Sequence, residues 1–232
     1  MKIRSQSLAV SLSGLALVAL APLNAHANIY SGVDFPAGIS SFADTVSSYN
    51  PPDTATDKAP SAANSDTDHA LGAPDYVSGG GCTNVATCTF ASLGNGGSMT
   101  VKFTDNFLTG GGNSKEDLHV FEVGPSVEAM LVEISKDGSN WISVGSVAGS
   151  VSGIDLDAFG FGKTDFFSYV RLTDVYADSY SKGGGGSSGA DIDAIGAVSS
   201  APITAAVPEP GTYALMLAGL GLVGWISKRR KA

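Results

Sequence analysis

The sequence is rich in carboxylates but poor in the other side chains that perform catalysis. It has 22 Asp and Glu residues but only 3 histidines, of which His69 and His119 lie in the body of the chain. Hydrolytic enzymes usually pair a nucleophile with a base or hold a metal in a ligand cluster. No credible nucleophile–base pair surrounds either histidine; we expect His119 to be a core or rim residue and His69 a solvated one. The sequence therefore predicts no catalytic residues and a protein that is not an enzyme.

Two carboxylates near the end of the body could hold a hard cation. Asp191 and Asp193 alternate along one predicted strand, so both side chains point to the same face. Two like charges near a core are costly unless something neutralises them. Ca²⁺ could do so, since it binds carboxylates, carbonyls and water through about six to eight oxygens. Arg171, the only arginine in the body, could do so instead through a salt bridge.

Aromatic side chains in loops could supply the stacking platform of a sugar-binding site. Tyr76, Tyr176 and Tyr180 are placed in predicted loops. Trp141 follows a predicted turn, where we expect it to pack at the core or at an edge. Ordinary packing explains each tyrosine equally well, so both interpretations stay open.

The N-terminal 27 residues have the three parts of a secretory signal peptide. Lys2 and Arg4 give a positive start, an apolar stretch from Leu8 to Leu20 follows, and Ala25-His26-Ala27 offers small residues at the positions that signal peptidase reads. The alternative, a retained anchor, would need about 20 apolar residues. We therefore expect export through the Sec machinery and cleavage before Asn28.

The C-terminus also has three parts. Pro208, Glu209 and Pro210 precede an apolar stretch, and a basic tail at 228–231 follows it. The pattern predicts a short transmembrane helix at 212–227 with its C-terminus in the cytoplasm. Together the three parts resemble the PEP-CTERM sorting signal, here residues 207–232. A plain anchor preceded by a chance Pro-Glu-Pro is the alternative.

This resemblance implies a partner and a location. Substrates of this kind are recognised at the Pro-Glu-Pro element by an exosortase, a membrane-embedded cysteine transpeptidase that removes the helix. The precursor would be anchored in the inner membrane of a Gram-negative-type bacterium. The processed protein would then lie at the cell surface or in the extracellular matrix, commonly where extracellular polysaccharide is made.

The charge of the body restricts its partners. Without both ends, 7 of the 13 basic and 21 of the 22 acidic residues remain, which leaves a net charge of about −14. Such a body is repelled by nucleic acid and by anionic lipid headgroups. This excludes nucleic-acid binding and favours cations or hydroxyl-rich neutral polymers.

The chain has two cysteines, Cys82 and Cys88, in a Gly/Thr/Asn-rich stretch. An exported chain meets an oxidising compartment, which favours a local disulfide between them. A metal site would need further ligands nearby, and His69 is the nearest imidazole in the sequence.

Strand patterns repeat from about residue 96 with turn residues between them. Short strands are predicted at 98–103, 117–123, 128–135, 141–144, 154–158, 167–172 and 192–198, with a hairpin turn at Asp137-Gly138. Residues 28–69 are predicted to be irregular. Seven or eight short strands without convincing helices predict an all-β protein, a two-sheet antiparallel sandwich.

Several strand and turn segments, among them Ser135-Lys136-Asp137-Gly138-Ser139-Asn140-Trp141 and Gly189-Ala190-Asp191-Ile192-Asp193, resemble the jelly-roll ectodomain of sorted surface proteins and galactose-binding sandwiches. Such sandwiches commonly carry a structural Ca²⁺ between an early loop and the last strand. The resemblance implies that Asp68 or Asp75 would join Asp191 and Asp193 as ligands.

The predicted organisation is a signal peptide at 1–27, an irregular segment at 28–69, a β-sandwich domain at 70–200, a linker at 201–206 and the sorting signal at 207–232. The leading hypothesis is an exported structural or exopolysaccharide-associated surface protein. A carbohydrate-binding module with structural calcium is the second hypothesis, and a divergent hydrolase is the third.

Overall fold

The computed structural model describes residues 28–52, 59–77, 85–124, 127–175 and 189–203. Both predicted processing signals, Cys82, Tyr176 and Tyr180 lie outside these ranges. The described strands are β1 Asn28–Tyr30, β2 Val33–Phe35, β3 Thr45–Asn50, β4 Ala91–Ser92, β5 Ser98–Lys102, β6 Asn106–Leu108, β7 Leu118–Glu122, β8 Ala129–Ser135, β9 Ile142–Ala148, β10 Val151–Ile154, β11 Tyr169–Asp174, β12 Asp191–Ala197 and β13 Ser200–Pro202.

The helices in these ranges are single 3₁₀ turns: η1 Gly38–Ser41, η2 Ala62–Asn64, η3 Thr67–Ala70, η4 Val85–Thr87 and η5 Asp157–Phe159. None of them has the length or apolar character needed to cross a bilayer. The transmembrane helix predicted at 212–227 lies outside the described residues.

The strands form two large antiparallel sheets. One has the order β10-β7-β12-β4 and the other the order β3-β5-β11-β8-β9, while β1-β2 and β13-β6 form two small ribbons. The predicted all-β, two-sheet antiparallel sandwich is confirmed.

The main core lies between the two large sheets. A single cluster of buried apolar side chains contains Val120 and Ile192 from the four-stranded sheet and Val132 and Val170 from the five-stranded sheet. Full burial of one such side chain stabilises the fold by about 1.5–3 kcal/mol. This core holds the ends of β7, β10 and β12 in fixed positions.

A second, aromatic cluster covers the other face of the four-stranded sheet. Phe121 follows the core residue Val120 in β7 and therefore points to the opposite face, where it packs with Phe35 and Phe42. Gly196 leaves room for these rings, because a Cβ at this position would lie 2.6 Å from Cε1 of Phe35. The N-terminal ribbon is thereby fixed to the sandwich.

The segment 28–69, predicted to be irregular, contains three strands. The longest, β3, pairs with β5 at the edge of the five-stranded sheet. Its sequence did not indicate a strand because none of its side chains is fully buried, and a bulge between Val46 and Ser48 interrupts the alternation. One strand of the five-stranded sheet thus lies N-terminal to residue 70, the predicted start of the sandwich domain.

The prediction of a strand at Ile154–Ala158 was wrong. Strand β10 ends at Ile154, and the chain then turns into η5. The carboxylate of Asp155 stabilises the turn, since its Oδ1 accepts from the N–H of Asp157 at 3.0 Å and from that of Ala158 at 3.3 Å.

Candidate functional site

An open cleft of about 640 Å³ lies beside the β6–β13 ribbon. Its volume falls within the range of small-molecule sites, which runs from about 300 to 1,000 Å³. Its polar lining residues come from η1, β6, β13 and the adjoining loops: Ser40, Asp105, Asn106, Thr109, Lys163, Ser199 and Ser200. Hydroxyl, amide and charged groups of this kind suit a hydroxyl-rich ligand.

Asn106 is the most unusual of these lining residues. It is 3 % exposed, yet neither Oδ1 nor Nδ2 has a hydrogen-bond partner among the described residues. A buried polar group without a partner costs about 1–3 kcal/mol. A ligand that offers both a donor and an acceptor would remove this cost.

Next to the cleft, three aspartates form an acidic cluster, namely Asp117, Asp155 and Asp157. One ligand oxygen from each lies within 4.8 Å of those of the other two. Asp117 directly precedes β7, Asp155 directly follows β10, and Asp157 begins η5. The cluster is contiguous with the cleft because a Cβ on the lining residue Gly111 would lie 2.8 Å from both Asp117 Oδ1 and Ser199 Oγ.

A glycine-containing loop holds Asp157 in this cluster. Its Oδ2 accepts from the N–H of Gly111 and of Gly112, each at 2.9 Å, and from that of Asn113 at 3.4 Å. Gly112 has φ +71°, a left-handed conformation that lets successive N–H groups point to one anion. The loop therefore fixes the position of one carboxylate.

Asp117 is fully buried, unlike the other two. Its Oδ2 accepts from the N–H of Leu156 at 2.9 Å, whereas its Oδ1 has no hydrogen-bond partner of ordinary geometry. Burial raises the pKa of Asp117, and repulsion by Asp157 and Asp155 adds to the rise, while the nearby Ser199 hydroxyl opposes it. This cluster was not predicted, because Asp155 and Asp157 fell within a predicted strand.

The structure brings together two of the four predicted calcium ligands. Oδ1 of Asp193 accepts from the N–H groups of Asp75 and Tyr76, both at 3.2 Å, across 117 or more residues of sequence. Burial raises the pKa of Asp193 to about 6, with a further contribution from the Asp75 carboxylate. Backbone N–H donors of this kind stabilise a carboxylate without a metal.

The other two predicted ligands have different surroundings. The Ser92 hydroxyl donates to Oδ1 of the buried Asp191. Asp68 is exposed in η3, where its N–H donates to the side chain of Asp66. Among the described residues, the acidic cluster is the group of three acids whose ligand oxygens lie within 4.8 Å of one another. A calcium site formed by Asp68, Asp75, Asp191 and Asp193 stays a prediction.

Arg171 does not neutralise these acids. Its Nη2 lies 2.6 Å from Oε2 of Glu133 on the neighbouring strand β8, and its guanidinium stacks 4.2 Å from the ring centroid of Trp141. Trp141 is therefore a packing residue, as expected.

A pair of glutamates, buried Glu122 and half-buried Glu128, was not predicted. Glu122 is 1 % exposed, and burial raises its pKa strongly, with Glu128 and Asp191 adding to the rise. Burial also raises the pKa of Glu128. Glu122 follows four apolar or aromatic positions in a strand, so the sequence indicated only an ordinary end of a buried strand.

Of the three tyrosines predicted to form a sugar-binding platform, Tyr76 is the one that lies within the described residues. The Tyr76 ring is half-buried and packs edge-on against Phe90, with 6.1 Å between ring centroids. It belongs to a small cluster with Cys88 and Val123 rather than to the cleft. The predictions for Tyr176, Tyr180 and the Cys82–Cys88 disulfide involve residues outside the described ranges and stay predictions.

The two histidines have no catalytic arrangement in the described part of the chain. His119 is 7 % exposed in β7, and its Nε2 lies 3.2 Å from Oε2 of Glu116. Burial lowers the pKa of His119, against the attraction of Glu116. Neither His119 nor His69 is hydrogen-bonded to a serine hydroxyl within the described residues.

Comparison with known proteins bears on the C-terminus. Residues 206–231 match the family described as the PEP-CTERM protein-sorting motif. The chain thus carries this sorting signal, which implies an exported protein that an exosortase processes. No curated protein matches the sequence.

Two solved structures show a distant likeness. One is the C-terminal domain of a chitobiase from Bacteroides fragilis, with 13 % identity and a TM-score of 0.30 over 46 % of this chain and 64 % of that one. The other is CpGH89CBM32-6 produced by Clostridium perfringens, with 14 % identity and a TM-score of 0.31 over 68 % of this chain and 92 % of that one. The chain spans about two thirds of the chitobiase domain. Likeness at this level says nothing about activity.

Proposed function

We propose that this chain is a non-catalytic surface protein that an exosortase processes and that then associates with extracellular polysaccharide. The match of residues 206–231 to the sorting motif carries the proposal. The acidic body supports it, since a net charge of about −14 favours neutral, hydroxyl-rich partners over nucleic acid or anionic lipid.

Replacement of Glu209 tests the sorting part of the proposal. Glu209→Ala removes the carboxylate between the two prolines of the motif, so we expect a full-length form that stays in the inner membrane. The measurement is immunoblotting of membrane and surface fractions for the length of the protein.

Glu116→Ala is the matched control, because Glu116 is an exposed glutamate of the sandwich outside the motif. This control should be processed like the wild type. Normal processing of Glu209→Ala would refute the proposal.

A carbohydrate-binding role is the second candidate, and the cleft favours it. Asn106 offers an unpartnered donor and acceptor in a wall that also contains the hydroxyls of Thr109 and Ser199. Sugar hydroxyls donate and accept at once and could satisfy both atoms. Among the described residues, the cleft lining contains no aromatic side chain, so recognition by these residues would depend on hydrogen bonds rather than on ring stacking.

Asn106→Leu separates a binding role from a structural one. Leucine has a similar size but no polar atoms, so the folded protein should keep or gain stability while binding is lost. The processed protein and this variant are compared on a glycan array, with Asn140→Ala in the β8–β9 turn as a control that should bind normally. Equal glycan binding by Asn106→Leu and the wild type would exclude the cleft as the sugar-binding site.

A further inference from the structure

We propose that Asp117, Asp155 and Asp157 bind a calcium ion, at a site distinct from the one predicted around Asp193. The ligand oxygens of the acidic cluster lie within 4.8 Å of one another. Two oxygens on opposite sides of a Ca²⁺ ion are about 4.8 Å apart, since each Ca–O distance is about 2.4 Å. Three oxygens this close to one another can therefore share one ion after small movements of the side chains.

The charge of the cluster requires a counterion. Three carboxylates meet here, and none of the ion pairs found within the described residues involves them. Like charges at this separation repel one another. A divalent cation bound between the carboxylates would offset this repulsion.

An independent observation points to a ligand at the same place. Asp117 is 0 % exposed, and its buried Oδ1 has no hydrogen-bond partner of ordinary geometry, with the Ser199 hydroxyl as its polar neighbour. Buried carboxylate oxygens are normally paired or bound to a metal. The backbone holds this oxygen firmly, because the Asp117 carbonyl accepts from Val198 at 2.7 Å and the Asp117 N–H donates to Ile154 at 2.8 Å.

The other two carboxylates are fixed as well, and each keeps free lone pairs. Oδ1 of Asp157 accepts a single hydrogen bond, from Gly112 at 3.1 Å, and the hydrogen bonds to Asp155 are made at its Oδ1. An ionised carboxylate has about four acceptor positions. Both residues can therefore bind a cation while they keep the hydrogen bonds that hold them in place.

Calcium fits this cluster better than magnesium. Mg²⁺ needs an octahedron with distances of about 2.1 Å and releases its water with difficulty, whereas Ca²⁺ accepts irregular sets of oxygens. Three carboxylates from a strand end and a 3₁₀ turn make an irregular set that water would complete. The ion would join β7, β10 and the loop 111–113 at the edge of the cleft.

Calorimetric titration of the full-length protein with CaCl₂ tests the site. The protein is purified in detergent, stripped with EDTA and compared with Asp155→Asn. Asparagine keeps the Oδ1 acceptor of the turn and removes one negative charge, so we expect Ca²⁺ affinity to fall at least tenfold. In EDTA, the melting temperature of Asp155→Asn should equal or exceed that of the wild type.

Two further variants complete the design. Asp44→Asn removes one charge from a half-buried aspartate outside the cluster, whose carboxylate accepts from Thr104, and it should bind Ca²⁺ like the wild type. Asp193→Asn should also leave this binding unchanged. The proposal is overturned if the wild type does not bind Ca²⁺, if Asp155→Asn binds it equally well, or if Asp193→Asn alone abolishes binding.

Discussion

Two groups of aspartates in this sandwich have opposite surroundings. Around Asp193, two N–H donors from a distant segment bind Oδ1 of a buried carboxylate. In the acidic cluster, Asp117 is equally buried, but its Oδ1 has no hydrogen-bond donor of ordinary geometry. The same side chain thus serves as a structural hydrogen-bond acceptor at one site and as a candidate metal ligand at the other. The two sites differ in the hydrogen-bond donors available to the buried carboxylate, not in the number of acids nearby.

The largest expected effect comes from removal of the Asp193 carboxylate. Asp193→Ala leaves the N–H groups of Asp75 and Tyr76 without their acceptor, which should lower the free energy of unfolding by about 2–3 kcal/mol. Urea unfolding of the full-length protein measures the change. Asp68→Ala removes an exposed aspartate and should change stability by less than about 0.5 kcal/mol. Equal losses in both variants would mean that the N–H donors to Asp193 contribute no more to stability than the contacts of an exposed aspartate.

The second effect is a pH dependence specific to Asp193. Its pKa in the folded protein, about 6, exceeds the value of about 3.9 in an unfolded chain. The folded state therefore binds more protons between these values, and stability falls as pH rises from about 4 to about 6. We expect a loss of about 1–2 kcal/mol, which is less than the full shift would give because water screens the group.

Asp193→Asn isolates this contribution. Other acids with raised pKa values, such as Asp117 and Asp174, change stability in the same direction but are present in both proteins. Urea unfolding at about pH 4.5 and at about pH 7 should show a smaller decrease for the variant. Identical decreases would mean that Asp193 ionises in the folded protein as it does in the unfolded chain.

The smallest effect concerns the loop that holds Asp157. Gly112→Ala places a Cβ on a residue with φ +71°, which costs about 1 kcal/mol. The Cβ would also lie 2.9 Å from Cε of Lys163, a flexible side chain that can move. Thermal unfolding should show the loss, and Gly162→Ala, where no atom lies within 4 Å of the new Cβ, should show less. A reversed order would mean that the loop conformation is not strained by a side chain.

The regular part of the fold could be predicted from the sequence. Strands β5, β7, β8 and β12 coincide closely with alternating or apolar stretches, and the Asp137-Gly138 turn does lie between β8 and β9. These elements have strong side-chain patterns because one face is buried in the core. Strand β3 has no fully buried side chain and therefore gave no such pattern.

The candidate sites could be predicted only in part. Asp191 and Asp193 were predicted to share one face near the core; both are buried, but a bulge between Ile192 and Ala194 interrupts the alternation on which that prediction depended. The donors to Asp193 lie at residues 75 and 76, and no local rule relates them to β12. The acidic cluster was missed because a strand was predicted at 154–158, whereas β10 ends at Ile154 and the chain then turns. Unpaired buried atoms such as those of Asn106 depend on the three-dimensional packing alone.

The position of β13 has a consequence for how the protein would be displayed. Its residues Ser200, Ala201 and Pro202 line the cleft, and residues 203–207 are all that separate them from Pro208. Even a fully extended chain of this length spans only about 20 Å. A sandwich tethered near the Pro-Glu-Pro element would hold its cleft close to the surface that carries it, so polymer emerging at the envelope would reach it before polymer farther out.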